Sequence, residues 1–171
     1  MTGTAFATYV PVMKILRIMA LAAAAYLAYG GTTYLDLKSG LPWILCALGG
    51  LALAAPMALV VDRPQLAWWL IVAASVVTGI AVQLHHRTPF SWHPAVLAEQ
   101  MVILLVVARR LPYRVSVPAW ASMAGLVCVS FYPADRIPLI ELITLITATA
   151  WGARALRTRD GARRKEAGLA R

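Results

Sequence analysis

Six apolar segments, each close to the length that crosses a bilayer, fill this chain of 171 residues, and basic residues gather in alternate connectors. The segments are Ile18–Leu35, Leu41–Val61, Leu66–Leu84, Pro94–Ala108, Val115–Tyr132 and Ile137–Ala153. About 20 apolar residues in helical form cover the roughly 30 Å of hydrocarbon in a membrane. The second and third segments meet that length comfortably. The fourth and sixth are short, and snorkelling of Arg109, Arg110 and Arg154, or extension back through Phe90–Trp92, would close the gap. Backbone amides in hydrocarbon need internal partners, so helices are expected rather than open strands. The expected fold class is all-α: a polytopic membrane protein, a bundle of six transmembrane helices in one domain (residues 1–153), with a short basic cytoplasmic juxtamembrane tail (residues 154–171).

The charge pattern orients the bundle. With six crossings, Lys14, Arg17, Arg63, Arg109, Arg110, Arg114 and the tail fall on one side, which then holds 13 of the 16 Lys and Arg. The other side holds Lys38, Arg87 and Arg136. Positive loops stay in the cytoplasm, so both termini are expected there and the chain in the cell (plasma) membrane. An odd number of crossings would spoil the separation. The net charge of +9 is therefore read as membrane topology; the basic residues form no single water-facing footprint, and nucleic acid is not an expected partner. Hydrophobic residues at 61% and charged residues at 13% leave too little polar surface for a soluble domain of this size.

Aromatic residues fall near the segment ends: Trp43, Trp92, Tyr34 and Tyr132 outside, Trp68, Trp69, Trp120, Tyr113 and Trp151 inside. An interfacial belt explains them. Small residues at Ala22–Ala25 and at Gly49, Gly50, Ala52, Ala54 and Ala55 mark expected helix contacts, and Pro56 is expected to kink the second helix. Cys46 and Cys128 lie mid-segment and read as small core residues rather than a disulfide. Lys14 and Arg17 before an apolar run resemble a signal peptide, but the run outlasts a typical h-region and is read as a retained first span.

Two acids interrupt the apolar segments, Glu99 and Glu141. Such residues face a partner or a water-filled cavity, because a carboxylate in hydrocarbon costs a few kcal/mol or more. Both are expected toward the outer leaflet, Glu141 sharing a helical face with Thr144. His85, His86 and His93 occupy the outer connector between the third and fourth segments. Together with the two acids they form a candidate sensing or ionisable cluster, since histidine titrates near neutral pH. Their spacing matches no metal motif, and structural hydrogen bonding is the plainer reading. No phosphate-cradling loop, CxxC pair or serine elbow is present, and all four aspartates lie in connectors or the tail, so no enzymatic activity, catalytic residue, metal or cofactor is expected. A small transporter or channel using Glu99 and Glu141 is the alternative function, although no internal repeat marks one.

After Ala153 the chain reads RALRTRDGARRKEAGLAR. Arg154, Arg157, Arg159, Arg163, Arg164 and Lys165 are dense enough to contact anionic lipids, at about 1 kcal/mol per basic residue near the surface. Gly161 and Gly168 are expected to weaken a continuous helix there.

The stretches VVDRPQLAWWLIVAASVVTGI (residues 60–80), HPAVLAEQMVILLVVARRLPYRVSVPAW (93–120) and WGARALRTRDGARRKE (151–166) carry a resemblance. An Arg-Pro connector enters a Trp-rich span, a later span ends in a basic turn, and the last helix runs into an Arg-rich linker. This order resembles the N-terminal membrane-spanning module of actinobacterial sensor histidine kinases, and about two-thirds of the chain takes part. The resemblance implies a sensory or scaffolding module of a two-component system that relays an envelope signal to its cytoplasmic tail and associates as a homodimer. In that family the linker leads to a phosphoaccepting histidine and an ATP-binding domain. No histidine follows His93, so a kinase core and a response regulator are expected only through a longer parent.

Overall fold

The computed structural model describes the backbone of residues 3–86 and 94–169, and the side chains of residues 14–84 and 94–160. Among the described residues there are six helices and no strand: α1 (Gly3–Ser39), α2 (Trp43–Leu59), α3 (Pro64–His86), α4 (Pro94–Arg110), α5 (Tyr113–Ser130) and α6 (Pro133–Leu169). Each coincides with one apolar segment of the sequence.

Proline and glycine set the boundaries. Pro64, Pro94 and Pro133 open α3, α4 and α6, where a missing N–H costs nothing and the fixed φ already suits the helix. Pro42 and Pro112 sit immediately before α2 and α5 in extended conformations. α1 ends at Gly40, whose φ of 58° is the left-handed geometry that a side chain would strain. The Ser39 hydroxyl donates to the Leu35 carbonyl and accepts from the Leu41 amide, closing the turn into α2.

Helix lengths depart from the sequence reading at both ends of the scale. Three helical stretches are long and apolar enough to cross a membrane: Lys14–Ser39, Pro64–Leu84 and Pro133–Asp160. α2 is apolar but only 17 residues long, shorter than its sequence segment, because Pro42 delays its start and a turn through Val60–Asp62 ends it early. α6 is not short. It starts at Pro133, four residues before the expected span, and continues as helix through the arginine-rich tail to Leu169. Gly161 and Gly168 do not interrupt it: two glycines cost about 1 kcal/mol each, and the surrounding alanines and arginines favour helix.

The chain divides into two compact units, Met1–Ile103 and Leu104–Arg171, the division falling within α4. In the first unit α1 packs along α2, and both touch α3. The α1–α2 contact is a backbone approach. A Cβ on Gly50 would lie 2.6 Å from the Thr32 amide nitrogen and 2.8 Å from the Ala28 carbonyl oxygen, and one on Gly31 would lie 3.2 Å from the Gly50 Cα. The sequence correctly marked Gly49 and Gly50 as contact residues, and on α1 they meet Ala28, Gly31, Thr32 and Leu35. A glycine admits a neighbouring backbone where even alanine holds it off. At the other end of this pair Arg17 and Asp62 form a salt bridge of 2.7 Å, about half exposed and worth at most about 1 kcal/mol.

In the second unit α5 and α6 are joined by two indole hydrogen bonds. Trp120 Nε1 donates to Thr144 Oγ1 at 3.2 Å and Trp151 Nε1 to Ser116 Oγ at 3.0 Å. Trp151 also meets Tyr113 edge-on, with ring centroids 5.4 Å apart. These tryptophans, and the buried Trp68, serve packing; Trp43 and Trp69 are the exposed ones that fit an interfacial belt. Trp92 lies outside the described residues. Cys46 and Cys128 are free thiols, the first buried and the second exposed.

Gly50→Ala is expected to destabilise the α1–α2 pair by about 1–3 kcal/mol, because its Cβ meets backbone that cannot turn aside. Gly79→Ala, with no atom within 4 Å of the added carbon, should leave the melting temperature in detergent unchanged or slightly higher. Equal melting temperatures for the two variants would contradict the close approach.

Candidate functional site

The sequence singled out Glu99 and Glu141, and the structure gives them different surroundings. Glu99 lies in the first unit and is 3% exposed; Gln100 beside it is 2% exposed. Glu141 lies in the second unit on an exposed face of α6. Thr144, one turn further on, has its hydroxyl committed to Trp120 and to the Ile140 carbonyl.

Around Glu99 the polar contacts are few. Gln100 Nε2 donates to Ser75 Oγ at 2.7 Å, a buried bond between α4 and α3. Ser75 is the middle residue of the 23-residue α3, so Glu99 and Gln100 sit level with the centre of that helix rather than near an end. On the α2 side the backbone of Met57 faces the carboxyl. Met57 follows Pro56, which is buried and has no N–H to return to the preceding turn. The Met57 amide does not reach hydrogen-bonding geometry: both oxygens of Glu99 are buried without a partner.

A second constellation lies at the far end of α4. Arg109 and Arg110 close that helix, and together with Arg157 of α6, Leu105 and Val106 they line a cleft of about 340 Å³ in the second unit. Arg154, one turn before Arg157, is otherwise engaged. Its guanidinium donates to the Leu111 carbonyl and stands 5.7 Å over the Tyr113 ring, fastening α6 to the α4–α5 turn. Arg154 therefore packs against protein, and Arg157 is the arginine left to the cleft. Sequence reading took the tail arginines as equivalent, because their spacing does not reveal which one meets Leu111.

The histidine part of the candidate cluster cannot be joined to this geometry: the side chains of His85 and His86, and all of His93, lie outside the described residues. So do the side chains of Arg163, Arg164 and Lys165. Arg159 is exposed. Among the described residues no three histidines, cysteines or acids come together as a metal site. The bond between Ser75 and Gln100 was not anticipated from the sequence, although a glutamine beside a glutamate in an apolar helix is a visible signal.

No known protein family, curated protein or solved structure matches this chain.

Ser75→Ala should cost about 0.6–2 kcal/mol of stability, because Gln100 Nε2 would be left buried without an acceptor. Asp62→Asn, which breaks only the exposed pair with Arg17, should cost less. Thermal unfolding in detergent micelles checks the order of the two.

Proposed function

We propose that the chain is a multi-pass module of the cell membrane, with six spans and both ends cytoplasmic, that passes a displacement among its spans to a rigid basic extension of α6. The observation that carries this reading is the continuity of α6. Its 37 residues make a helix about 55 Å long, against about 30 Å of hydrocarbon. Apolar span and arginine-rich tail are one rod, so a shift or rotation at one end moves the other. Anchoring of Arg154 on Leu111 and Tyr113 gives that rod a pivot at the α4–α5 turn.

The alternation of basic connectors supports six crossings. Three helices are long enough alone, and α2, α4 and α5, at 17, 17 and 18 residues, would cross with local thinning and snorkelling of flanking arginines. The resemblance to sensor histidine kinase modules agrees with a relay: there too a last span runs into a charged linker. On that reading the module works as a homodimer, is not itself an enzyme, and reaches a response regulator only through a kinase core. Its nearest chemical partner is anionic lipid. In the cleft, Arg109, Arg110 and Arg157 offer guanidinium donors to a headgroup phosphate, and Leu105 and Val106 offer an apolar shoulder to its chains.

A small transporter or channel is the second reading, and the enclosed Glu99 is the observation that favours it. Intramembrane acids line ion and proton paths in many transporters. Solute or proton flux into liposomes containing the purified chain would favour transport; sealed liposomes favour the relay.

Three measurements test the proposal. Reporter fusions after Arg63 and Arg114 should report the cytoplasm and those after Lys38 and Arg136 the outside; head and tail on opposite faces would overturn the topology. Spin labels at Leu145 and Lys165, in a chain without Cys46 and Cys128, should lie about 30 Å apart with a narrow distribution. A broad, shorter distribution would remove the rod. Arg157→Gln should weaken retention of phosphatidylglycerol relative to phosphatidylcholine about fivefold, corresponding to about 1 kcal/mol.

A further inference from the structure

Glu99 is the acid that the first unit encloses; Asp36 and Asp62, the other described acids there, are exposed. Among the described residues, the helices of that unit bring it no base. α2 carries no charged residue from Trp43 to Leu59, α3 none from Pro64 to Leu84, and α1 none from Ile18 to Leu35. Their described charged groups stand outside those stretches: Lys14, Arg17, Asp36 and Lys38 on α1, Asp62 and Arg63 beyond α2, with Arg17 and Asp62 bonded to each other. On α4 itself the nearest bases are Arg109 and Arg110, ten and eleven residues away, about 15 Å along the axis.

The polar neighbours do not compensate either. Gln100 Nε2 is taken by Ser75 Oγ, and the Met57 amide faces the carboxyl without bonding it. A bare carboxylate enclosed in this way, with no counter-charge and no hydrogen bond, is strongly disfavoured. A cation that travels with the site removes the penalty. The surroundings suit a small one: a proton, which needs only one carboxyl oxygen, or a sodium ion, which both carboxyl oxygens would hold.

We propose that Glu99 is a binding site for one small monovalent cation, a proton or sodium, held between α4 and the Pro56 turn of α2. The bound cation neutralises the carboxyl and lets α2, α3 and α4 close around it. The site requires neither the relay nor the transport reading. Each of those would use it differently, the first as a sensor of the cation and the second as a carrier.

Infrared spectroscopy of the full chain in vesicles of phosphatidylcholine and phosphatidylglycerol tests the site without needing a reagent to enter it. Spectra are taken across the pH range in choline chloride, then in sodium chloride, for wild type, Glu99→Gln, Glu99→Asp and Glu141→Gln. The expected result is a protonated-carboxyl band in the wild type at neutral pH in choline. That band should be lost in Glu99→Gln, shifted in Glu99→Asp, which keeps an acid there, and retained in Glu141→Gln. Its disappearance when sodium replaces choline at fixed pH assigns the site to sodium in competition with protons; persistence assigns it to protons alone. A wild-type spectrum lacking any acid band that Glu99→Gln removes, at neutral or lower pH in choline, overturns the proposal. Because liposome flux and the spin-label distance are read separately, this result leaves both functional readings to their own tests.

Discussion

Apolar helices placed in lipid would gain nothing by leaving it for one another, and what would replace that missing drive in this chain differs between its two units. In the first unit the replacement is bare backbone. Gly50 of α2 lies so near the Thr32 amide and the Ala28 carbonyl of α1 that no side-chain atom fits between them. Dispersion between two backbones at that range needs no hydrophobic effect, and it works equally well in hydrocarbon. The Gly40 turn brings α2 back along α1, and α3 then meets α2 at Gly49 through Thr78. In the second unit the replacement is the indole N–H: Trp120 and Trp151 each present a donor to a hydroxyl across the α5–α6 contact, with Ser116 and Thr144 as the acceptors.

Much of the architecture was legible in the sequence because its signals are local. Apolar run length and proline position fixed six helices, and Pro64, Pro94 and Pro133 opened theirs where the residue type predicts. The extent of α6 was not legible. Gly161 and Gly168 weigh against helix as isolated residues, while the alanine and arginine around them weigh for it, and only the sum over the segment decides. The α1 partner of Gly50 was not legible for a related reason: Gly31 is the residue that meets it, and register between two helices is a property of the turn joining them.

The candidate sites show the same boundary between chain-local and pairwise information. That Glu99 would matter followed from its charge in an apolar run. That it would be enclosed while Glu141 is exposed did not follow, since the two look alike along the chain. The level of Gln100 along α3 was also a pairwise fact: its bond to the midpoint of that helix sets it, and counting from the end of α4 does not. Among the arginines, Arg154 and Arg157 differ by one turn of helix, yet one is bound to a carbonyl and a ring and the other lines a cleft.

Among the described residues the buried and half-buried charges are handled without ion pairing, and this bears on how the protein can change shape. The salt bridge seen among the described residues, Arg17–Asp62, is about half exposed and lies just beyond the end of α2. Arg154 is satisfied by a carbonyl and an aromatic face, partners that stay in place whatever the solution contains. Glu99 has no such fixed partner, so its neutralisation depends on something exchangeable. A fixed-partner cation gives a pivot and an exchangeable-partner anion gives a switch, because only the second can be occupied or vacated as conditions change. Pro56 sharpens the difference: the turn of α2 that faces Glu99 already lacks one helical hydrogen bond, so a change of charge there meets the least resistant part of that helix.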